Sequence, residues 1–326
     1  MRLCHLTQAL ALIPLVSEGF VSAQQYPIKV LHEFSNPTWL DSNACSQKVR
    51  HNGEVLVTSA TTSAIRLVNP ESPEEAITVA SIPGGNGANG ITEMGRDIFY
   101  VNGGNYTVAT GPILGSYGVW KIDLRKADPV ISLVTALPDV RLANGIARLH
   151  PTDETYLLIS DPIAAEIIRV NVVTGEYVRV INDTALRAIA PNPNGVSVLR
   201  TYESYVYYNN QGSNLSRIPI SNTTGFATGP SEIIATLDAH SFAISRDGKK
   251  AWMSSNFINA LQEIDIEKRT ARIVVQNQTD FITPTGVALG KSNGKNVLYV
   301  TTSGGMDWAT MTAVTGARLM QVNIGA

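Results

Sequence analysis

Cysteine is nearly absent: the 326 residues hold two, Cys4 and Cys45. Cys4 falls in a segment that reads as a removable leader, so Cys45 stands alone in the mature chain and no intramolecular disulfide is possible. Stability must then come from packing. No adjacent His or basic residue draws the Cys45 thiol toward thiolate, so it reads as a small apolar residue rather than a nucleophile. Charge is also sparse. Only 16% of residues are charged, the net charge is −2, and there is no Lys/Arg run. That excludes the basic surface a nucleic-acid partner needs. Beyond the N-terminus no stretch reaches the about 20 apolar residues of a bilayer span. No Ser-His-Asp order, CxxC, HExxH or phosphate-binding Gly loop occurs, and "GGNGANG" from Gly84 and "SNGKN" from Ser292 read as turns. Helical periodicity is missing as well, since no segment keeps a 3.6-residue apolar repeat over three turns.

What is present begins with "MRLCHLTQALALIPLVSEGFVSAQQYP". Arg2 supplies a positive n-region, Leu6 to Val16 an apolar core, and Val21-Ser22-Ala23 a small-residue cleavage site. Residues 1–23 are therefore expected to be a signal peptide and 24–326 a single domain in the secretory pathway, lumenal or secreted. Five sequons agree with that route: Asn105-Tyr-Thr, Asn182-Asp-Thr, Asn214-Leu-Ser, Asn222-Thr-Thr and Asn277-Gln-Thr. With 44% hydrophobic residues, the chain can bury a substantial core.

The rest of the chain repeats one phrase: "ANGITEMG" from Ala88, "ANGIARLH" from Ala143, "NPNGVSVLR" from Asn192, "AHSFAISR" from Ala239 and "PTGVALGK" from Pro284. Each copy is followed by a β-rich apolar run, then a second and often a third. The anchors Ile91, Ile146, Val196, Phe242 and Val287 lie 55, 50, 46 and 45 residues apart. A degenerate copy precedes them, in "NPTWLDSN" and "EVLVTSATTSAIRLVNP". Six units of about four strands predict an all-β, six-bladed propeller. The sixth unit has only three strands, so "YPIKVLHEF" from Tyr26 is expected to supply its outer strand. The termini would then close the ring in one blade and leave no open sheet edge. The inserts after Asn102 and after Ser303 should project from one face.

The second position of the phrase carries Asn89, Asn144, Asn194, His240 and Thr285. The first strand of each blade lines the central channel, so these side chains are expected to form a polar ring at its mouth, joined by Asn36 or Thr38 of the first unit. The plainer reading is that the Asn residues accept a positive φ or bond the turn backbone. His240 is the one candidate acid–base near neutrality, because His32, His51 and His150 fall in strands or turns away from the mouth. Asp161, in "ISDP", ends a second strand and could orient a neighbour. Trp39, Tyr106, Phe257, Met306 and Trp308 lie on loops or strand ends near the same face and could wall a site.

"NPTWLDS", "ANGIARLHPTDETYLLISDP", "NPNGV" and the third strands ending in Thr-Gly resemble the senescence-marker-protein-30/gluconolactonase group of six-bladed propellers. That resemblance implies lactone or phosphoester hydrolysis with one divalent cation. Its two metal-binding Asn fall on Asn144 and Asn194. Its Glu falls near Ser35 or Asn36, where no carboxylate stands. Its Asp falls on Ala239-His240, beside Asp238. A calcium or magnesium site needs several anionic or carbonyl oxygens, so the resemblance implies a degenerate metal site reused for organic ligands. The overall plan of signal peptide, sequons, six blades and a lactonase-like frame also resembles the secreted fungal hetero-Diels–Alderases of tropolone–sesquiterpenoid biosynthesis. These join a quinone-methide heterodiene to an alkene such as humulene.

The residues suit such chemistry. A cycloaddition needs no nucleophile, no metal and no cofactor. It needs two apolar reactants held in register, worth up to about 7–11 kcal/mol, and donors at the heterodiene oxygen. The expected catalytic residues are His240, Asn194 and Asn144. Asn36, Trp39, Asn89, Tyr106, Phe257, Thr285, Met306 and Trp308 are expected to contact small apolar substrates. Two other readings stay open: a metal-dependent lactone or ester hydrolase, and a non-catalytic ligand-binding propeller.

Overall fold

The computed structural model describes residues 25–35, 38, 40, 47–107, 110–126, 128–276, 279–307 and 312–325. The expected signal peptide, Asn36, Trp39, Cys45, Asn277 and Trp308 lie outside these. Six four-stranded antiparallel sheets follow one another around an axis. Blade one contains Gln47–Val49, Val55–Ser59, Thr62–Asn69 and Ser72–Ser81. Blade two contains Gly87–Glu93, Ile98–Gly104, Gly118–Asp123 and Val130–Ala136, and blade three Ile146–Arg148, Tyr156–Asp161, Glu166–Asn171 and Tyr177–Asn182. Blade four contains Val196–Tyr202, Tyr205–Asn210, Asn214–Pro219 and Glu232–Thr236, and blade five Ser241–Ile244, Lys250–Ser255, Ala260–Asp265 and Thr270–Gln276. Blade six combines Pro284–Ser292, Lys295–Thr302 and Arg318–Asn323 with Ile28–Glu33 from the other end of the chain. The closure expected from the sequence is present: Ile28 pairs with Val322 and Glu33 with Arg318.

The core is a set of six seams between neighbouring blades. Tyr100 and Val119 of blade two pack with Ile146, Leu157 and Ile168 of blade three. Leu158 and Ile167 turn the other way, onto Val196, Leu199 and Tyr208 of blade four. Successive residues of a strand point to opposite sheet faces, and here both faces are covered. Second strands such as Tyr156–Asp161 are therefore buried along almost their whole length. This is why they read as continuous apolar runs instead of alternating ones.

Two inserts form small hairpins, Tyr106–Thr107 with Gly111–Pro112 and Met306–Asp307 with Thr312–Ala313. Both leave from second strands, on the end of the disc where the innermost strands begin. We call this end the upper face. Among the described residues no helix is long and apolar enough to cross a membrane.

Candidate functional site

The repeated phrase turns out to be a stitching device. Asn89 Nδ2 donates to the Ala143 carbonyl at 2.7 Å and Asn144 Nδ2 to Ser197 Oγ at 2.9 Å. His240 Nδ1 lies 2.9 Å from the Thr285 carbonyl, and Thr285 Oγ1 donates to the Leu40 carbonyl at 2.8 Å. Each bond crosses from one blade to the next. A second circle comes from the second strands: Thr58 donates to the Asn89 carbonyl, Ser160 to that of Ser197, Asn209 to that of His240 and Ser254 to that of Thr285. All six seams are bridged near the upper face.

The residues expected to form a ring at the mouth also carry these stitches. Asn89, Asn144, His240 and Thr285 are buried, His240 to 1% exposure, and each commits one polar atom to a bond across a seam. A carbonyl oxygen can only accept, so His240 Nδ1 carries the proton. Asn194 differs: it is half-buried, and its backbone N–H donates to Asn192 Oδ1 at 3.0 Å. The glycine after the Asn is explained by close approach, not by a turn. A Cβ on Gly145 would lie 2.3 Å from the Ser197 carbonyl oxygen, and one on Gly90 2.5 Å from that of Asn144. Only glycine lets the innermost backbones meet so closely.

The upper face has two further properties. Buried side-chain atoms lacking a hydrogen-bond partner among the described residues gather there: Asn102 Nδ2, Tyr117 Oη, Asn144 Oδ1, Asn210 Oδ1, Asp238 Oδ1, Asn256 Oδ1 and Ser303 Oγ. Trp252 Nε1, in mid-strand, is an exception. Each such group costs about 1–3 kcal/mol, a cost that native sites carry where a ligand completes the bonding. The loops of the same face expose Ile113, Leu114, Ile163, Ile189, Phe257, Ile258 and Val314.

These properties meet at the corner between blades four and five. Asp238 precedes the innermost strand of blade five. Its Oδ2 accepts the Phe257 N–H at 2.8 Å, and its backbone carbonyl accepts Ser255 Oγ at 2.6 Å. Burial pushes its carboxyl up to about 6, against backbone N–H groups of Phe257 and Ile258 that pull it down. Phe257 is 66% exposed. Across the corner, Gly212 donates its N–H to the Ala239 carbonyl at 2.7 Å. A Cβ on Gly212 would sit 3.1 Å from Asn192 Nδ2 and 3.3 Å from the Phe257 ring, at a φ of +70°. Asn192, Asn194, Gly212, Asp238 and Phe257 thus form one group: an acid of raised pKa, an amide and an exposed ring.

Of the residues expected from sequence, Phe257 and Asn194 belong to this group. Asn89, Asn144, His240 and Thr285 do not. Tyr106 is half-buried on the blade-two hairpin, where its backbone exchanges hydrogen bonds with Asn86. Met306 contributes backbone to the blade-six hairpin. Among the sequons, Asn182 and Asn222 are exposed and Asn105 is half-buried. Asn214 is only 4% exposed and its Oδ1 accepts Ser216 Oγ. A glycan there would have to displace blade-four packing, which contradicts the expectation for this position. Sequence reasoning gave no role to Asn192, the first residue of the repeat "NPNGVSVLR", or to Gly212, and named Asp238 only as a neighbour of the implied metal position.

A resident divalent cation does not fit the residues that the resemblance assigns. Asn144 and Asp238 each offer one unpartnered oxygen, and His240 is committed to a seam. No three His, Cys, Asp or Glu side chains converge among the described residues. Calcium calls for six to eight oxygens with several negative charges.

The other end of the axis holds a cavity of about 810 Å³ that opens on the lower face. All six blades line it, and its deepest positions, Ile91, Ile146 and Val287, stand two residues below Asn89, Asn144 and Thr285 of the stitched belt.

No family model matches the sequence, and no curated protein matches it. Solved structures do. Regucalcin from Agrobacterium tumefaciens, a calcium-binding protein, superposes with a TM-score of 0.61 at 15% identity, over 92% of this chain and 96% of its own. A luciferin-regenerating enzyme gives 0.62 at 11% identity, over 91% and 95%. The PQQ-bound aldose sugar dehydrogenase from Streptomyces coelicolor gives 0.57 at 14%, over 92% and 99%. At these identities the likeness shows the fold: the chain is a six-bladed β-propeller whose structural neighbours include regucalcin and sugar-dehydrogenase propellers.

Proposed function

We propose that the upper corner between blades four and five is the reaction site of a cofactor-free enzyme acting on small apolar molecules. Its reaction on this reading is a hetero-Diels–Alder cycloaddition of a tropolone-type quinone methide with a sesquiterpene alkene. The observation that carries the reading is Asp238: a carboxyl raised to about 6, with one oxygen buried and unpartnered, beside the exposed Phe257. No hydroxyl or thiol nucleophile is bonded to that carboxyl among the described residues. The site therefore offers proton transfer and apolar contact, not covalent catalysis.

Each step follows from those groups. Protonated Asp238 gives its proton to the benzylic hydroxyl of the precursor alcohol, which leaves as water. The ring hydroxyl of the same precursor loses its proton to the resulting carboxylate, which restores the acid and yields the quinone methide. A near-neutral pKa suits both transfers. Asn192 Nδ2 donates to the heterodiene oxygen as negative charge grows on it. Phe257 and Ile258 hold the alkene over the diene, and C–C and C–O bonds form with no group lost.

The test is incubation of the purified secreted protein with a hydroxybenzylic or hydroxymethyl-tropolone alcohol and humulene. The expected outcome is one dominant stereoisomer, faster than in buffer and unaffected by EDTA. A racemic product at the buffer rate would reject the reading. Asp238 also supports a second reading, in which the ionised carboxylate is the general base for water attack on a lactone. Hydrolysis of a simple lactone in the absence of alkene, lost in Asp238→Asn, would favour it.

A further inference from the structure

The lower cavity has no part in that chemistry, yet it gathers positive charge. Four arginines line it, one each from blades two to five: Arg96, Arg148, Arg200 and Arg246. The acids among the lining residues are Glu93 and Glu154, so the lining keeps a net positive charge in a chain whose overall charge is −2. None of the four arginines is within ion-pair distance of an acid among the described residues. Arg148 is spent on a backbone carbonyl, that of Asp153, reached by Nε at 2.9 Å and Nη2 at 2.7 Å.

Arg200 is the exceptional one. It lies on the innermost strand of blade four, and its one hydrogen bond among the described residues runs from Nη1 to the Leu199 carbonyl at 2.8 Å. The Phe242 ring, 5.9 Å away, is its other contact of note. Arg200 is half-buried at the cavity wall, and the protein around it lowers its pKa to about 10. A partly desolvated cation without a counter-ion costs stability. A planar guanidinium with free N–H groups is suited to a bidentate oxyanion. The rest of the wall is mixed: Ile91, Ile146, Ala243 and Val287 give it apolar patches between Thr92, Thr152, Thr201 and Ser245.

We propose that the lower axial cavity binds a small organic oxyanion, a carboxylate or phosphate ester with an apolar body, whose charged head pairs with Arg200. The site is separate from the upper corner, so its test does not depend on the cycloaddition. The rim arginines Arg96 and Arg246 are exposed and draw the anion in, and the apolar patches take its body.

The experiment is calorimetric titration of the whole secreted protein with citrate and with phenyl phosphate, at fixed ionic strength, with sodium chloride as control. The expected result is saturable binding of at least one probe, unmatched by chloride and at least tenfold weaker in Arg200→Gln. The probe that binds assigns the head group. Arg96→Gln/Arg246→Gln should slow association and steepen no other property. Without ligand, Arg200→Gln should melt at or above the wild-type temperature, because it removes an uncompensated charge. Absence of binding by both probes, equal effects of chloride, or unchanged affinity in Arg200→Gln would overturn the proposal. So would failure of Arg200→Gln to fold, since the guanidinium would then be a structural cation.

Discussion

Phe257 donates its backbone N–H to Asp238 Oδ2 at 2.8 Å and leaves Oδ1 of the same carboxyl buried without a partner. One residue thus fixes the acid and also presents an exposed apolar ring beside it. The pairing is local to blade five, but Gly212 and Asn192 of blade four complete its surroundings.

The raised carboxyl makes stability depend on pH in a defined direction. Folded Asp238 titrates near 6 instead of 3.8, so the folded state holds the proton more tightly than the unfolded one. Its contribution is full below about pH 4 and is lost as pH rises through about 6. Asp238→Asn should therefore be more stable than wild type at pH 8, by about 3 kcal/mol, and lose that advantage by pH 4. Urea midpoints at both pH values check this. Turnover on the alcohol precursor should fall above about pH 6 in wild type and be low throughout in the variant.

Asn192→Asp separates orientation from turn structure. The aspartate keeps an oxygen for the Asn194 N–H but loses the amide donor. Turnover should drop roughly 10²-fold while the melting temperature changes little. Comparing rate and product stereochemistry with the melting curve decides it.

His240→Ala and Asn144→Ala should act on stability. The histidine variant loses a buried ring and a bond across the seam between blades five and six, at a cost of about 2–4 kcal/mol. The asparagine variant loses its bond to Ser197, at about 1–2 kcal/mol. Protein that stays folded should keep its product stereochemistry. An unshifted midpoint with altered product would return these residues to the reaction.

Gly145→Ala should be among the most damaging single methyl additions. The new Cβ would meet the Ser197 carbonyl oxygen at 2.3 Å and the Leu199 nitrogen at 2.9 Å. Backbone cannot move aside as a side chain can, so a loss of about 3 kcal/mol is expected, read as soluble yield and near-ultraviolet dichroism.

Phe257→Ala should leave stability within about 0.5 kcal/mol, as for other exposed positions. It should raise KM for the alkene partner. Steady-state kinetics against alkene concentration, beside a melting curve, measure both.

The propeller was legible because its determinants are local and repeat. The strand runs recur at 45–55 residues, and the last unit shows three such runs where the others show about four. Ile28–Glu33 supplies the missing strand. Asn-Gly was legible as a motif but not as a cause. A turn glycine and a glycine pressed against a neighbouring carbonyl look alike in sequence, and only the approach of Ser197 to Gly145 tells them apart. The seam bond of His240 to the Thr285 carbonyl was hidden for a related reason. Repetition marks an equivalent position in each blade, but whether the side chain turns to the axis or into the seam depends on the blade beside it.

The sequence by itself determined the all-β class, the number of blades, the closure of the ring and the face from which the inserts project. Strand period, turn residues and spacing are properties of neighbouring residues along one chain. Tertiary structure decided which polar groups are stitches and which are left unpartnered, because that depends on blades brought together from distant segments. Asp238 is raised toward neutrality by burial that no neighbour in sequence supplies. Arg200 meets Arg96, Arg148 and Arg246 in one cavity only because the blades bring distant segments together.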